Sequence, residues 1–179
     1  MEVRILGPLE VEDETGRLVP LGSLKQQALL ALFAVHPNTV LSTDRIVDAL
    51  WGEHPPSDGP RNVRVYVSRL RKVLEPDRTK RAPGQLIITE PSGYAFRIDP
   101  AQIDAHVFEH LVRVARQEVV DDPESSRTTI EGALQLWRDR PLAGLGYEEF
   151  AQSEIRRLEE LHLSALELRH EASVRLGDH

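Results

Sequence analysis

Between residues 60 and 74 the chain reads PRNVRVYVSRLRKVL, and its apolar residues Val63, Val67, Leu70 and Leu74 recur at steps of four, three and four. That repeat is one face of an α-helix turned into a core. Advancing 100° per residue puts Arg61, Val65, Ser68 and Lys72 opposite the seam, with Arg64 and Arg71 on one flank and Asn62, Tyr66 and Arg69 on the other. Two more helices precede it. Ser23 is placed to cap a helix running to about Val35, with Ala28, Leu29, Leu32 and Phe33 as its stripe and Pro37-Asn38 as its stop. Ser42 or Thr43 caps TDRIVDALW, whose apolar residues are Ile46, Val47, Leu50 and Trp51 and whose end is marked by Gly52. The run EHPPSDGP, residues 53–60, is a loop by composition.

Alternating patterns flank these helices. EVRIL, LEVED and RLVPL, within residues 2–21, read as short strands parted by turn residues, and so predict a small antiparallel sheet. QLIITE and YAFRI read as a hairpin joined by Pro91-Ser92-Gly93, its tip in solvent. After Asp99-Pro100 the pattern becomes helical, and no strand signal follows residue 98. DAHVFEHLVRVARQ buries Phe108, Leu111, Val112 and Ala115, and Pro123 opens a helix containing Ile130, Ala133, Leu134 and Trp137. A linker-like PLAGLG, residues 141–146, leads to a long last helix. There Ala151, Leu158, Leu161, Ala165, Leu168 and Ala172 form a seam that must lie along another helix.

Length and charge refine this picture. A chain of 179 residues with 40% apolar content suits two compact units of roughly 90 residues each. The net charge of -7 argues at first against a polyanionic partner, but residues 1–98 carry net +1 and residues 99–179 net -8. Within 61–81 eight basic residues (Arg61, Arg64, Arg69, Arg71, Lys72, Arg78, Lys80 and Arg81) face only Glu75 and Asp77. A local basic surface therefore sits inside an acidic protein, and at short Debye length a ligand senses the local surface. With no cysteine, disulfides, thiolate catalysis and cysteine zinc sites are excluded. No apolar run approaches a membrane span and the first residues lack the regions of a signal peptide, so the expectation is a cytoplasmic protein.

The outer face of the basic helix suits phosphates and base edges, because arginine can hold either with two parallel hydrogen bonds while Ser, Asn and Tyr add shorter contacts. The competing reading is a solvated amphipathic helix. His106-Val107-Phe108-Glu109-His110 fits H-x-x-E-H, in which two histidines bind zinc and a glutamate activates water. Both histidines, however, lie away from Phe108 and Leu111, and an exposed pair on an acidic helix is the simpler account. Trp51 and Trp137 each sit at helical spacing in an apolar stripe, which favours core packing over a ligand site. The glycines near residue 144 lack the lysine of a phosphate loop. Glu159, Glu160, Glu167 and Glu171 are either an acidic activation surface or a solvated helix face.

Strands, three helices with the basic one third, and a hairpin make a winged-helix order. The strings LGSLKQQALLALFAV, LSTDRIVDALWG and VYVSRLRKVL resemble the OmpR-type winged helix of the Streptomyces antibiotic regulatory protein (SARP) family. ALQLWRDRPLAGLGYEEFAQSEIRRLEELHLSALELRHEASVRLGDH is similar to the opening of that family's bacterial transcriptional activation domain. The resemblance implies a mainly α protein with small antiparallel β elements: a winged helix, residues 1–98, then a tetratricopeptide-like helical domain, residues 99–179. It implies a transcription activator that sets its third helix in the major groove, as two copies on direct repeats of double-stranded DNA, without cofactor or enzymatic activity. Arg61, Tyr66, Ser68, Arg69 and Arg71 fall where such helices contact DNA, and Val65 where a thymine methyl would be touched. Asn62, Arg64, Lys72, Arg78, Arg81 and the wing-tip Ser92 complete the expected DNA-binding set. The loop bearing Glu53, His54 and Asp58 corresponds to the segment that faces the RNA polymerase sigma subunit in relatives. Glu90, where many relatives are basic, is a departure. The activation domain is normally about twice as long as residues 99–179, so the resemblance implies either a fragment or a short form. An adaptor whose winged helix has lost DNA affinity is the alternative.

Overall fold

A computed structural model describes residues 1–77, 79 and 82–177. The N-terminal half runs β1 (Glu2–Arg4), β2 (Glu10–Glu12), α1 (Leu24–Val35), β3 (Val40–Ser42), α2 (Thr43–Trp51), α3 (Gly59–Leu74), β4 (Ile87–Glu90) and β5 (Gly93–Phe96). The second half is helical: α4 (Asp104–Glu118), α5 (Pro123–Leu134) and α6 (Glu149–Leu176), with a 3-10 turn at Pro100–Gln102. β1 pairs antiparallel with β2, Val3 opposite Val11, and a second sheet has the order β3-β5-β4. RLVPL does not become a third strand: it makes one isolated bridge, Glu12 to Leu18, because Pro20 lacks an N–H to continue a ladder. β3, whose three residues carry too short an alternation to be read from sequence, is the winged helix's third strand. Gly93 makes that pairing feasible, since a Cβ there would lie 1.9 Å from the Leu41 carbonyl oxygen.

Helix α2 starts where Ser42 accepts a hydrogen bond from the Arg45 N–H at 3.2 Å, and it ends on Gly52, whose φ of 57° suits glycine. Helix α1 departs from the amphipathic stripe expected of it. Every residue from Ala28 to Ala34 is buried, because α1 packs on α2 and α3 on one side and on α6 on the other. The His106 ring sits against the end of α1 as well, its Nε2 3.2 Å from the Ala34 carbonyl oxygen. It is thus half-buried between the two halves, not part of an exposed pair, while His110 Nδ1 lies 2.8 Å from the Arg113 guanidinium.

The N-terminal segment is held by the helical half. Asp104, at the start of α4, accepts hydrogen bonds from the backbone N–H groups of Ile5 at 2.7 Å and Leu6 at 3.0 Å. Arg138 N–H donates to the Leu6 carbonyl at 2.8 Å, and Leu142 N–H to that of Ile5 at 2.9 Å. PLAGLG is therefore no free linker: Leu142 and Leu145 are buried, and Ala143 bridges Pro8. One hydrophobic cluster runs without a break from Val3 to Ala172. Trp137 lies beyond the end of α5, not on it, edge-on to Phe108 at 5.4 Å and stacked on His162 at 4.1 Å. The expected seam of α6 is buried at Ala151, Leu158, Ala165, Leu168 and Ala172, with Leu161 half-buried, along α4 and α5. Arg157 fastens α6 to α4 by bonding Glu109 at 2.5 Å while pairing with Glu154 of its own helix at 2.6 Å, and these carboxylates raise its already high pKa.

Candidate nucleic-acid interface

Helix α3 is fixed from inside before its outer face can act. Val63 and Leu70 are wholly buried and Val67 and Leu74 nearly so. Gly59 lies so close to Val47 that a Cβ would approach it to 3.1 Å, and Pro60 occupies the first turn, where its missing N–H costs no hydrogen bond. The two residues assigned to the loop by composition thus open the helix. On the other side, Arg61, Arg64, Val65, Ser68, Arg69 and Lys72 line one shallow depression. All six are exposed, and Val65 keeps 39% of its surface in solvent, an apolar spot among cations.

Among the described residues no ion pair or hydrogen bond engages the side chains of Arg61, Arg64, Arg69 or Lys72. Several guanidinium groups elsewhere are neutralised: Arg97 on Glu90 at 3.3 Å, Arg138 on Glu10 at 2.7 Å, Arg140 on Glu159 at 3.2 Å and Arg175 on Glu171 at 2.8 Å. The free cations of α3 face water, with positive charge left over for an anion.

Two expected members of the set have other partners. Arg71 turns toward the hairpin, where its Nε donates to the Ile87 carbonyl at 2.8 Å and its guanidinium to the Thr89 hydroxyl at 2.9 Å. Its flank of the helix lies over β4, and through these bonds Arg71 ties α3 to the hairpin. Tyr66 is half-buried and stacks on Trp51, ring centroids 6.2 Å apart and planes 26° apart. Asn62 is half-buried on the first turn, its N–H donating to the Asp58 carbonyl at 2.9 Å. Arg78 and Arg81 lie outside the described residues.

The hairpin turn is only Pro91-Ser92, both exposed, and the Ser92 carbonyl accepts from the Thr43 N–H at 3.1 Å, pinning the tip to the start of α2. Arg97 reaches Glu90 on that hairpin, so its acidic residue carries its own counter-ion. Glu53, His54 and Asp58 are exposed on the loop between α2 and α3. Trp51 as the platform under Tyr66, and Lys25 beside it, escaped sequence reading because their partners are 15 or more residues away and share no local repeat. Among the described residues no helix is long and apolar enough to cross a membrane, and no group of three or more potential metal-ligating side chains converges.

Comparison with known proteins bears on both halves. Residues 18–96 match the family model for the C-terminal domain of transcriptional regulatory proteins, and residues 103–179 that for the bacterial transcriptional activator domain. The chain is 33% identical over 98% of its length to the regulatory protein AfsR of Streptomyces coelicolor, and 27% identical over its full length to the regulatory protein DnrI of Streptomyces peucetius. It spans 17% of the former and 67% of the latter. Mycobacterium tuberculosis EmbR, solved in complex with a low affinity phosphopeptide, superposes with a TM-score of 0.91 at 28% identity over 99% of this chain and 46% of EmbR. With a winged helix and an activator-domain fold in the same order as in these regulators, the chain belongs to the SARP family of transcriptional regulators.

Proposed function

We propose that this chain is a sequence-specific DNA-binding activator that sets α3 in the major groove of double-stranded DNA. The observation that carries the reading is the set of four cations, Arg61, Arg64, Arg69 and Lys72, left without acidic partners among the described residues around one depression of a protein whose net charge is -7. Arg64 and Arg69 suit guanine edges, Val65 a thymine methyl, and Arg61, Ser68 and Lys72 the phosphates. Asn62, Tyr66 and Ser92 flank that surface as supporting contacts. Arg71 acts indirectly, by holding the hairpin. Two copies occupy direct repeats upstream of a biosynthetic gene cluster, as a homodimer on DNA. The exposed loop with Glu53, His54 and Asp58 meets RNA polymerase at its sigma subunit, and the helical half positions further partners. The domain division falls near residue 98, where the hairpin ends and the helical run begins. The activity is binding without catalysis, and no cofactor takes part.

Neutralising about six phosphates releases that many condensed counter-ions, so log Kd plotted against log salt should have a slope near ~5 in magnitude. Fluorescence polarisation on a duplex of random sequence between 50 mM and 300 mM salt measures it. A flat response would remove the DNA reading and leave a protein-binding adaptor.

A further inference from the structure

The start of α6 touches the end of α2 through one lysine. Lys25 Nζ bonds both carboxylate oxygens of Glu148, at 3.0 and 2.9 Å, and donates to the Leu50 carbonyl oxygen in the last turn of α2. Glu148 is the residue before α6 and is buried to 8% exposure. An ammonium has three donors, and these three acceptors account for all of them. The Leu50 carbonyl is one of those a helix end leaves unpaired, and a cation there also meets the negative end of the helix dipole. The same ammonium lies 5.8 Å from the centroid of the Trp51 ring, within range of attraction to its face. Tyr66 of α3 stacks on the same ring at 6.2 Å. A continuous set of contacts therefore runs from the residue that precedes the helical half's last helix to the flank of the DNA-facing surface.

We propose that Glu148 and Lys25 are positioning residues for Tyr66, so that the helical half sets how well the winged helix discriminates between DNA sequences. This rests on the reading of Tyr66 as part of the DNA-contacting surface. Without the Glu148 carboxylate, Lys25 would lose its only anionic partner among the described residues and be free to leave the Leu50 carbonyl and the Trp51 face. Trp51 would then no longer be pressed against Tyr66 in one orientation. The phosphate-binding cations Arg61 and Lys72 take no part in this chain of contacts, so discrimination should change while salt dependence does not.

The experiment uses the full chain and a mutant cycle. Affinity is measured on a duplex selected from a random pool and on its scrambled counterpart, for wild type, Glu148→Gln, Tyr66→Phe and the double variant. Glu148→Gln should lower the ratio of the two affinities about fivefold when Tyr66 is present and leave it unchanged in the Tyr66→Phe background. An equal effect in both backgrounds, or none in either, overturns the proposal, even if Glu148→Gln lowers the melting temperature. Should circular dichroism show Glu148→Gln unfolded, Lys25→Gln replaces it in the same cycle. Lys25→Arg, which keeps a cation, should restore discrimination, and its failure to do so counts against the relay. Wild type that binds with salt sensitivity but gives an additive cycle sinks the relay and leaves the DNA reading in place. Wild type without salt-sensitive binding sinks both.

Discussion

Arg71 Nε lies 2.8 Å from the carbonyl oxygen of Ile87, so one arginine of the basic helix α3 joins that helix to its hairpin. Arg71→Ala should therefore lower the free energy of unfolding by about 1 to 2 kcal/mol, the worth of a charge-assisted hydrogen bond with a part-exposed donor. The salt slope of DNA binding should stay at its wild-type value. Urea unfolding combined with a salt titration checks both halves, and a slope reduced by a full phosphate would return Arg71 to the DNA-contacting set.

Lys72 and Arg69 should separate affinity from specificity. Lys72→Ala is expected to weaken binding to matched and scrambled duplexes alike and to reduce the salt slope by about 1. Arg69→Ala should cost about 1 to 3 kcal/mol on the matched site and much less on the scrambled one. Polarisation on the two duplexes decides, and identical behaviour of the two variants would show that neither residue reads a base.

Asp104 ties the N-terminal strand to the helical half. It accepts from the N–H groups of Ile5, Leu6 and Ala105, and burial raises its pKa even though these bonds favour the ionised form. Asp104→Asn would put an amide NH2 where an N–H now donates, leaving at least one buried donor unpaired. The expected loss is about 1 to 3 kcal/mol in chemical denaturation. Hydrogen exchange at Ile5 and Leu6 should quicken with it, and unchanged protection there would show that the strand is held by other contacts.

His36 and His162 both have pKa values pushed below 6.5, chiefly by burial; Arg45 adds to this at His36 and Arg169 at His162. The unfolded chain therefore binds protons more readily than the folded one just below pH 6.5. Their contribution to stability is complete above that pH and is lost as pH falls through the depressed folded values. Melting temperature should drop between pH 7 and pH 5, and His162→Phe, which keeps a ring against Trp137, should reduce the drop. A variant with an unaltered pH profile would assign the acid sensitivity to other groups.

The chain's own pattern determined which face of α3 goes inward. Four apolar residues at steps of four, three and four and the turn residues around them are local properties, and so is the surplus of arginine on the opposite side. The same holds for α2 with its serine cap and glycine end, and for the seam of α6, whose length exposes enough repeats to be read. What only the tertiary structure decided is which of the polar residues remain available. Arg71 and Arg64 share a flank, yet β4 comes close enough to take Arg71 alone. PLAGLG has the composition of a linker, but its unpaired N–H groups find the carbonyls of Ile5 and Gly7, more than 130 residues earlier in the chain. α1 shows no polar face because two layers cover it, and Trp137 leaves its helix to stack on His162. In each case the deciding partner is distant in sequence, and a hydrogen bond or ring contact at that range leaves no period along the chain.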